Sequence, residues 1–337
     1  MHARPDVLDQ PLQFERICLE KIWGGRSLAD TPGIELPPGE RIGETWEVVD
    51  RGDQNSVVRG GPFEGRSLRQ LMEAHAHDIL GEAEPAAGGR FPLLVKYIDA
   101  SQNLSVQVHP DDAAAARIGG GAQGKTEAWY LLGGGAEARL FAGLRPGVDA
   151  EAFGRAASTS GVVDMLESWS VRPGQAVLVP GGTVHAIGEG ITLLEVQQNS
   201  DTTYRLYDWG RVGSDGQPRE THVERALQCA AFGEPARGPV DPAWTEAGDG
   251  LLEAPLVDSP YFAMAGLRVR GRARLATGRQ FRIYAAVGGA GSLTVEGRSE
   301  LWRLEPGDVV LVPAATGAHA VEPDGEELVL VRLSARP

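Results

Sequence analysis

The residues of this 337-residue chain best suited to chemistry are histidines and carboxylates on strand-like segments. In residues 104–112, "LSVQVHPDD", Leu104, Val106 and Val108 alternate with Ser105, Gln107 and His109. A β-strand turns successive side chains to opposite faces, so the three polar groups share one face. An edge strand with a solvated face gives the same alternation, and the pattern alone does not choose between the two. Glu127 in "GKTEAWYLL" and His185 in "VLVPGGTVHA" stand on two further strand-like segments, and period two puts Lys125 on the face of Glu127. Two neutral imidazoles, a carboxylate and an amide oxygen suit zinc or another borderline divalent ion, with positions left open for water or substrate. Gln107, His109, Glu127 and His185 are therefore candidate ligands, and four unrelated polar residues is the alternative that spacing leaves open. A cation beside a ligating carboxylate, as Lys125 would be, is a substrate-handling arrangement.

Other chemistry-bearing patterns fail on context. Residues 119–126, "GGGAQGKT", satisfy the phosphate-loop spacing G-x-x-x-x-G-K-[ST]. Such a loop needs a buried strand before it and a helix after it, so that helix N-terminal amides meet the phosphates. Here the helix-like "AAAARI" precedes and the strand-like "TEAWYLL" follows. His75 and His77 fall at i and i+2 of a helix predicted over 67–80, where they cannot converge on one ion. His222 sits in another helix-like segment and His2 near the first residue, and neither is favoured as a ligand.

The elements that must position these groups are mostly strands. The 45 glycines and 22 prolines punctuate short apolar runs such as "FPLLVKYI", "ITLLEVQ", "FRIYAAV" and "ELVLVRL", the pattern of an all-β sandwich or barrel. Helical periodicity is confined to 67–80, 149–158 and 221–230, which read as decoration on a β framework. An internal echo links "RPGQAVLVPGGTVHA" (172–186) to "EPGDVVLVPAATGAHA" (305–320). Each copy is a strand, a tight turn and a strand presenting a histidine, which resembles the second motif of the cupin superfamily, where that histidine is a metal ligand. In the second copy His319 has no Gln-x-His strand and no carboxylate partner, so it is expected to be a surface or packing residue of a structural barrel. The Gly-, Pro- and acid-rich stretch 232–250 is the expected boundary, dividing the chain into 1–238 and 239–337.

A formal charge of −14 with no basic stripe excludes a nucleic-acid partner. The two cysteines, Cys18 and Cys229, form no CxxC and suggest neither a disulfide framework nor a thiolate metal site, which points to the reduced cytosol. No apolar h-region and no run of 18 apolar residues is present, so neither export nor a membrane span is expected and the chain is assigned to the cytoplasm. Nothing in the pattern specifies an oligomeric state.

"IGETWEV", "PLLVKYIDA", "LSVQVHPDD", "GKTEAWYLL" and "VLVPGGTVHAIGEGITLLEVQQNSDTTYRLYDWGR" occur in this order. Together they resemble the type I phosphomannose (mannose-6-phosphate) isomerase family, from about Trp23 to Arg211. The resemblance implies two cupin-type, jelly-roll-like antiparallel β-barrels with a few peripheral helices. Only 57 residues separate Glu127 from His185, which leaves no room for an inserted helical domain and implies a short bacterial form. By resemblance, one Zn2+ in the N-terminal barrel falls on Gln107, His109, Glu127 and His185, the four residues already singled out by spacing. The implied reaction interconverts mannose 6-phosphate and fructose 6-phosphate through a cis-enediol. Arg205, Lys125, Glu195 and Asp201 are the catalytic candidates it implies. Ser105, Lys96, Trp23, Glu47 (or its neighbour Glu44) and Arg211 are those for sugar and phosphate. An iron-dependent cupin oxygenase, using His109, Glu127 and His185 alone, and a non-catalytic sugar-binding cupin are the rival readings.

Overall fold

The computed structural model describes residues 7–213, 216–248 and 250–336, so His2 lies outside the described residues. β-branched and aromatic runs between glycine turns form two pairs of antiparallel sheets, as the punctuated pattern predicts. The first pair is a six-stranded and a five-stranded sheet. The larger is ordered Ala176–Val179, Glu127–Gly133, Ile191–Gln198, Leu93–Ala100, Ile42–Val48, Ile17–Gly25. The smaller runs Leu166–Ser170, Arg139–Leu144, His185–Ile187, Val106–Val108, Tyr204–Tyr207. The second pair, seven and four strands, is built from residues beyond Thr245, except that Leu12–Gln13 crosses over to pair with Val309–Val312. The domain division at 238/239 therefore remains a proposal for the barrels, and the N-terminal segment is shared between them.

Side-chain alternation assigns each face of the six-stranded sheet a partner. Leu93, Val95, Tyr97, Tyr130, Leu194 and Val196 point outward and pack on Phe262, Ile283, Leu311 and Leu333 of the second half, so the two large sheets stand back to back. Ile98, Trp129, Leu131 and Leu193 point inward and close one end of the barrel against Leu140 and Ile187 of the five-stranded sheet. Glu127, Lys96 and Glu195 share that inward parity. The outer face of the five-stranded sheet is covered by the helices Ala150–Ala156 and Val223–Cys229. Between Glu127 and His185 the described residues hold one helix, Ala150–Ala156, and a 3-10 turn, Ser160–Met165, so no helical domain is inserted there.

The predicted helix over 67–80 is observed at Leu68–Leu80, opened by a capping box between Ser67 and Gln70. His75 and His77 lie on it, with His75 Nδ1 at 3.3 Å from Asp78. The phosphate-loop spacing at 119–126 does not form a phosphate loop. It follows the helix Asp112–Ile118 and leads into a strand, and the amides of Gln123, Lys125 and Thr126 are already bonded to Thr202, Pro110 and Gln198.

The internal echo is a structural repeat. Val177 and Val179 pair with Trp129 and Glu127, and the corresponding Val310 and Val312 pair with Tyr284 and Arg282. A guanidinium thus stands in the second copy where the first has its carboxylate. His185 and His319 each put Nδ1 on the carbonyl two residues earlier, Thr183 and Gly317, and each meets an aromatic edge-on with ring centroids 5.5 Å apart. His319 Nε2, however, lies 2.9 Å from Tyr284 Oη, which makes it a packing residue. Replacing His319 with Ala should cost about 1–3 kcal/mol in urea denaturation, because Tyr284 loses a buried partner, while metal content stays at the wild-type level. A fall in metal content would contradict the structural role of this barrel.

Candidate active site

The candidate ligands are brought together by the turn that joins two strands of different sheets. Gly181 lies so close to residues 109–111 that a Cβ there would come within 2.6 Å of the Asp111 Cα, and Gly182 takes φ +92° while its amide donates to His109 O at 2.7 Å. The Pro-Gly-Gly turn therefore rests on the end of the Val106–Val108 strand. His185, the first residue of the next strand, pairs directly with Gln107.

His109 Nε2 is 3.3 Å from Glu127 Oε2, and His185 Nε2 is 3.3 Å from Glu127 Oε1. The ligand atoms of the three residues all fall within 4.8 Å of one another. The Gln107 amide nitrogen is 3.2 Å from His185 Nε2, and its oxygen is turned to Ser105. Bonds of about 2.0–2.1 Å to a four-coordinate zinc imply ligand–ligand edges of roughly 3.3 Å, which the two distances from Glu127 to the imidazoles match. His109 Nδ1 is 2.8 Å from Thr202 O, and His185 Nδ1 is 2.9 Å from Thr183 O. Each Nδ1–H donates to its carbonyl, and the Nε2 lone pairs are left facing Glu127.

Electrostatics keeps the set in its ligating form. Burial, with Lys125 adding to it, pushes the His109 imidazolium down to about 3, and burial likewise lowers His185, so both rings are neutral. Burial alone would raise Glu127, but the Lys125 ammonium beside it holds its carboxyl well below the usual range. Lys125 Nζ stands 2.7 Å from Glu127 Oε2 and 3.1 Å from His109 Nε2. The buried Glu127 carboxylate thus turns one oxygen to each of two neutral imidazoles whose Nε2 atoms carry no proton, and three such acceptors facing one another are what a divalent cation satisfies.

A cavity of about 360 Å³ opens onto this cluster and reaches Gln107 and Glu127. Trp23, Ser105, Lys96, Lys125 and Glu195 line it, as do Asp201 and Arg205. Lys96 Nζ lies 3.1 Å from Glu195 and 3.9 Å from Glu44. Burial pulls the Lys96 ammonium down, but Glu195, Glu44 and Glu127 outweigh it and hold it above its ordinary value. Glu195 is pushed up by burial and by Glu127, against Lys96 and Lys125. Its Oε2 accepts from Trp129 Nε1 at 3.0 Å, while its buried Oε1 is the oxygen that faces Lys96. Ser105 Oγ donates to Gln107 Oε1 at 3.1 Å. Glu195 and Arg205 reach the cleft from different sheets, because the chain passes from one sheet to the other through residues 199–203.

Residues 12–127 match the model of the phosphomannose isomerase type I catalytic domain. Over 321 residues the chain is 36% identical to the mannose-6-phosphate isomerase ManA of Bacillus subtilis, covering 95% of this chain and 98% of that protein. The chain belongs to the type I phosphomannose isomerase family. A mannose-6-phosphate isomerase of Streptococcus mutans is 35% identical over 90% of this chain and 92% of its own length. The crystal structure of the Bacillus subtilis mannose 6-phosphate isomerase matches with a TM-score of 0.84 at 32% identity, over 96% of this chain and 99% of that one. The two sheet pairs are therefore the cupin-type barrels of phosphomannose isomerases, in the short form close to the Bacillus proteins.

Two residues that the sequence nominates for the isomerase site, Glu47 and Arg211, lie outside the cleft, which corrects the expectation for both. Along Ile42–Val48, Glu44 and Trp46 face inward, so Glu47 has the opposite parity and is bonded to Arg16 at 2.7 Å and to Thr45 at 2.7 Å. Glu44, the named neighbour, is the one that lines the cavity, held by Trp46 Nε1 at 2.8 Å. Arg211 turns onto Asp208 at 2.6 Å. Sequence reasoning missed Lys21, Thr203 and Arg219, which also line the cleft. Lys21 shares strand parity with Trp23, and Thr203 with Arg205, which was the available signal; Arg219 has none, since a long loop carries it back.

Substitution separates the two faces of the Val106–Val108 strand. His109→Ala should abolish retention of a divalent metal, measured by elemental analysis after dialysis. Val108→Ala should retain the metal and lose about 1–3 kcal/mol of stability through its cavity. The opposite pairing of results would show that the faces are reversed.

Proposed function

We propose that the chain interconverts mannose 6-phosphate and fructose 6-phosphate. The observation that carries this is the buried His109–Glu127–His185 cluster opening, in a phosphomannose isomerase chain, onto a cleft that also holds Lys96, Lys125 and Glu195. The donor set, completed by the Gln107 amide oxygen, favours one Zn2+. When bound, that ion supplies Lewis-acid polarisation of the sugar oxygens at C1 and C2, where charge builds as the cis-enediol forms.

The chain's own residues supply the remainder. Glu195 is the proton carrier we propose between C2 and C1. Glu127 is turned to the imidazoles and Glu44 is held by Trp46, whereas the cleft-lining Glu195 sets its Oε1 between two lysines, Lys96 at 3.1 Å and Lys125 at 3.9 Å, that steady its charge as it takes and returns the proton. Lys125 places its ammonium beside Glu127, where it stabilises developing negative charge on the substrate. Trp23 gives the cavity an apolar wall against which the sugar ring rests. Asp201 and Ser105 offer polar contacts to sugar hydroxyls, with Ser105 also fixing Gln107.

The phosphate dianion is best met by cations not already neutralised. Lys96 and Lys125 are each shared between two carboxylates. Arg205 donates to Glu220 O but has a buried Nε with no partner, which makes it the group we assign to the phosphate, since Lys21 is paired with Glu44 and Arg219 with Asp208. Both cysteines are free and no described helix is long and apolar enough to cross a membrane, which supports work on a diffusible sugar phosphate in the cytoplasm.

A coupled assay of mannose 6-phosphate to fructose 6-phosphate conversion should show turnover that chelator abolishes and Zn2+ restores, without oxygen consumption. No turnover by zinc-loaded protein would overturn the reading. Glu195→Gln should lower kcat by roughly 10²–10⁴-fold, and Arg205→Ala should lower kcat/KM by about 100-fold, mostly through KM.

A further inference from the structure

We propose that Arg51 is a positioning residue that clamps the two loops on which this site depends. Arg51 lies in the two-residue strand Asp50–Arg51, paired with Gln54–Asn55, and lines neither the metal cluster nor the cleft. Its side chain is 17% exposed. One guanidinium nitrogen, Nη1, donates to Asn199 O at 2.6 Å and to Gln123 Oε1 at 3.1 Å, and the other, Nη2, faces Asp201 Oδ1 at 2.8 Å. A planar fork with fixed donors is the group that can hold three acceptors from two loops at once.

Each loop carries a part of the site. The 119–126 loop carries Lys125, whose ammonium faces Glu127. The 199–203 loop carries Asp201 and Thr202, and Thr202 O accepts the hydrogen bond from His109 Nδ1–H that leaves His109 Nε2 free to ligate. The loops are also tied to each other, since Gln123 N donates to Thr202 Oγ1 at 3.0 Å and Ser200 Oγ donates to Gln123 O at 3.1 Å. Arg51 is anchored from behind. The buried Asp50 carboxylate accepts from Arg90 and from Phe91 N, both at 2.9 Å, and Asn199 Nδ2 donates to Asp50 O at 2.8 Å.

The pair with Asp201 alone does little, because the Asp201 side chain is 74% exposed and a solvated ion pair is weak. The effect resides in the fork across Asn199 and Gln123, which fixes where Thr202 O and Lys125 stand. Groups that orient a metal-ligating imidazole change metal affinity about 10–100-fold when removed. Arg51 therefore acts on metal affinity through Thr202 and His109, and on turnover through Lys125.

The turnover half of this inference rests on the isomerase reading, and the metal half does not. Arg51→Ala and Arg51→Lys are compared with wild type in three measurements. These are the Zn2+ dissociation constant by competition with a chromophoric chelator, kcat and KM for mannose 6-phosphate at saturating Zn2+, and the melting temperature of the zinc-free protein. Arg51→Ala should weaken Zn2+ about 10–100-fold and lower kcat about tenfold or more with KM changed less, and millimolar guanidinium should restore part of both. Arg51→Lys keeps the charge but not the fork, and should fall between. Wild-type Zn2+ affinity and kcat in both variants would overturn the proposal, whether or not the melting temperature falls. Should Arg51→Ala fail to fold, the same two quantities in Arg51→Lys decide it. If wild type itself binds Zn2+ but does not turn over mannose 6-phosphate, the functional reading falls while the affinity comparison still tests the clamp.

Discussion

Three carboxylates, Glu44, Glu127 and Glu195, are sunk inside one barrel and almost wholly shielded from water. Burying an ion costs several kcal/mol even after relaxation, so each must be met by positive charge or by donors. Lys96 and Lys125 bridge them in pairs, and Lys21 reaches Glu44 from the rim at 3.5 Å, so three lysines match three carboxylates. The histidines add nothing to this balance, because their own burial keeps them neutral. A divalent cation at Glu127 turns the balance into a surplus of positive charge. That sign is the one needed to receive an anionic sugar phosphate in a chain of net charge −14.

The rest of the architecture follows from holding that charge in place. The six-stranded sheet can present Glu127, Lys96 and Glu195 on its inner face because its outer face is fully occupied by the back-to-back contact with the second half. The five-stranded sheet supplies the imidazoles on strands that pair directly, and helices shield its outer face. The second barrel shows what the scaffold is without the site. The same strand–turn–strand unit, with the same histidine-to-carbonyl bond, carries Arg282 at the carboxylate position and satisfies His319 with Tyr284. With no Gln-x-His strand beside it and a guanidinium in place of the carboxylate, the second histidine closes on Tyr284 and packs.

The cluster that gathers around Glu127 was legible in the sequence because it obeys local rules. Gln107 and His109 alternate with valines on one strand, Glu127 and Lys125 share a face, and His185 follows a Pro-Gly-Gly turn whose shape its residues dictate. Glu44 and Glu47 lie three apart, so they must face opposite sides of a strand, yet the sequence does not say which side is inside. That depended on the pairing of Trp46 with Lys96 and on an irregularity before Val48. Arg211 was read along a run that ends in a turn, and the long loop that follows returns Arg219 to the cleft in its place. Arg51 left no trace, since a hairpin of two-residue strands has no periodicity and its three acceptors lie 72 to 150 residues away.

The most direct test of the central claim is anomalous diffraction at the zinc edge from crystals of the zinc-loaded protein. The account predicts one strong peak in the first barrel, about 2.0–2.2 Å from His109 Nε2, His185 Nε2 and a Glu127 oxygen, with the Gln107 amide oxygen turned to it and nothing at His319. A peak bound elsewhere, or an ammonium of Lys125 still seated between Glu127 and His109 with no peak at all, would contradict it.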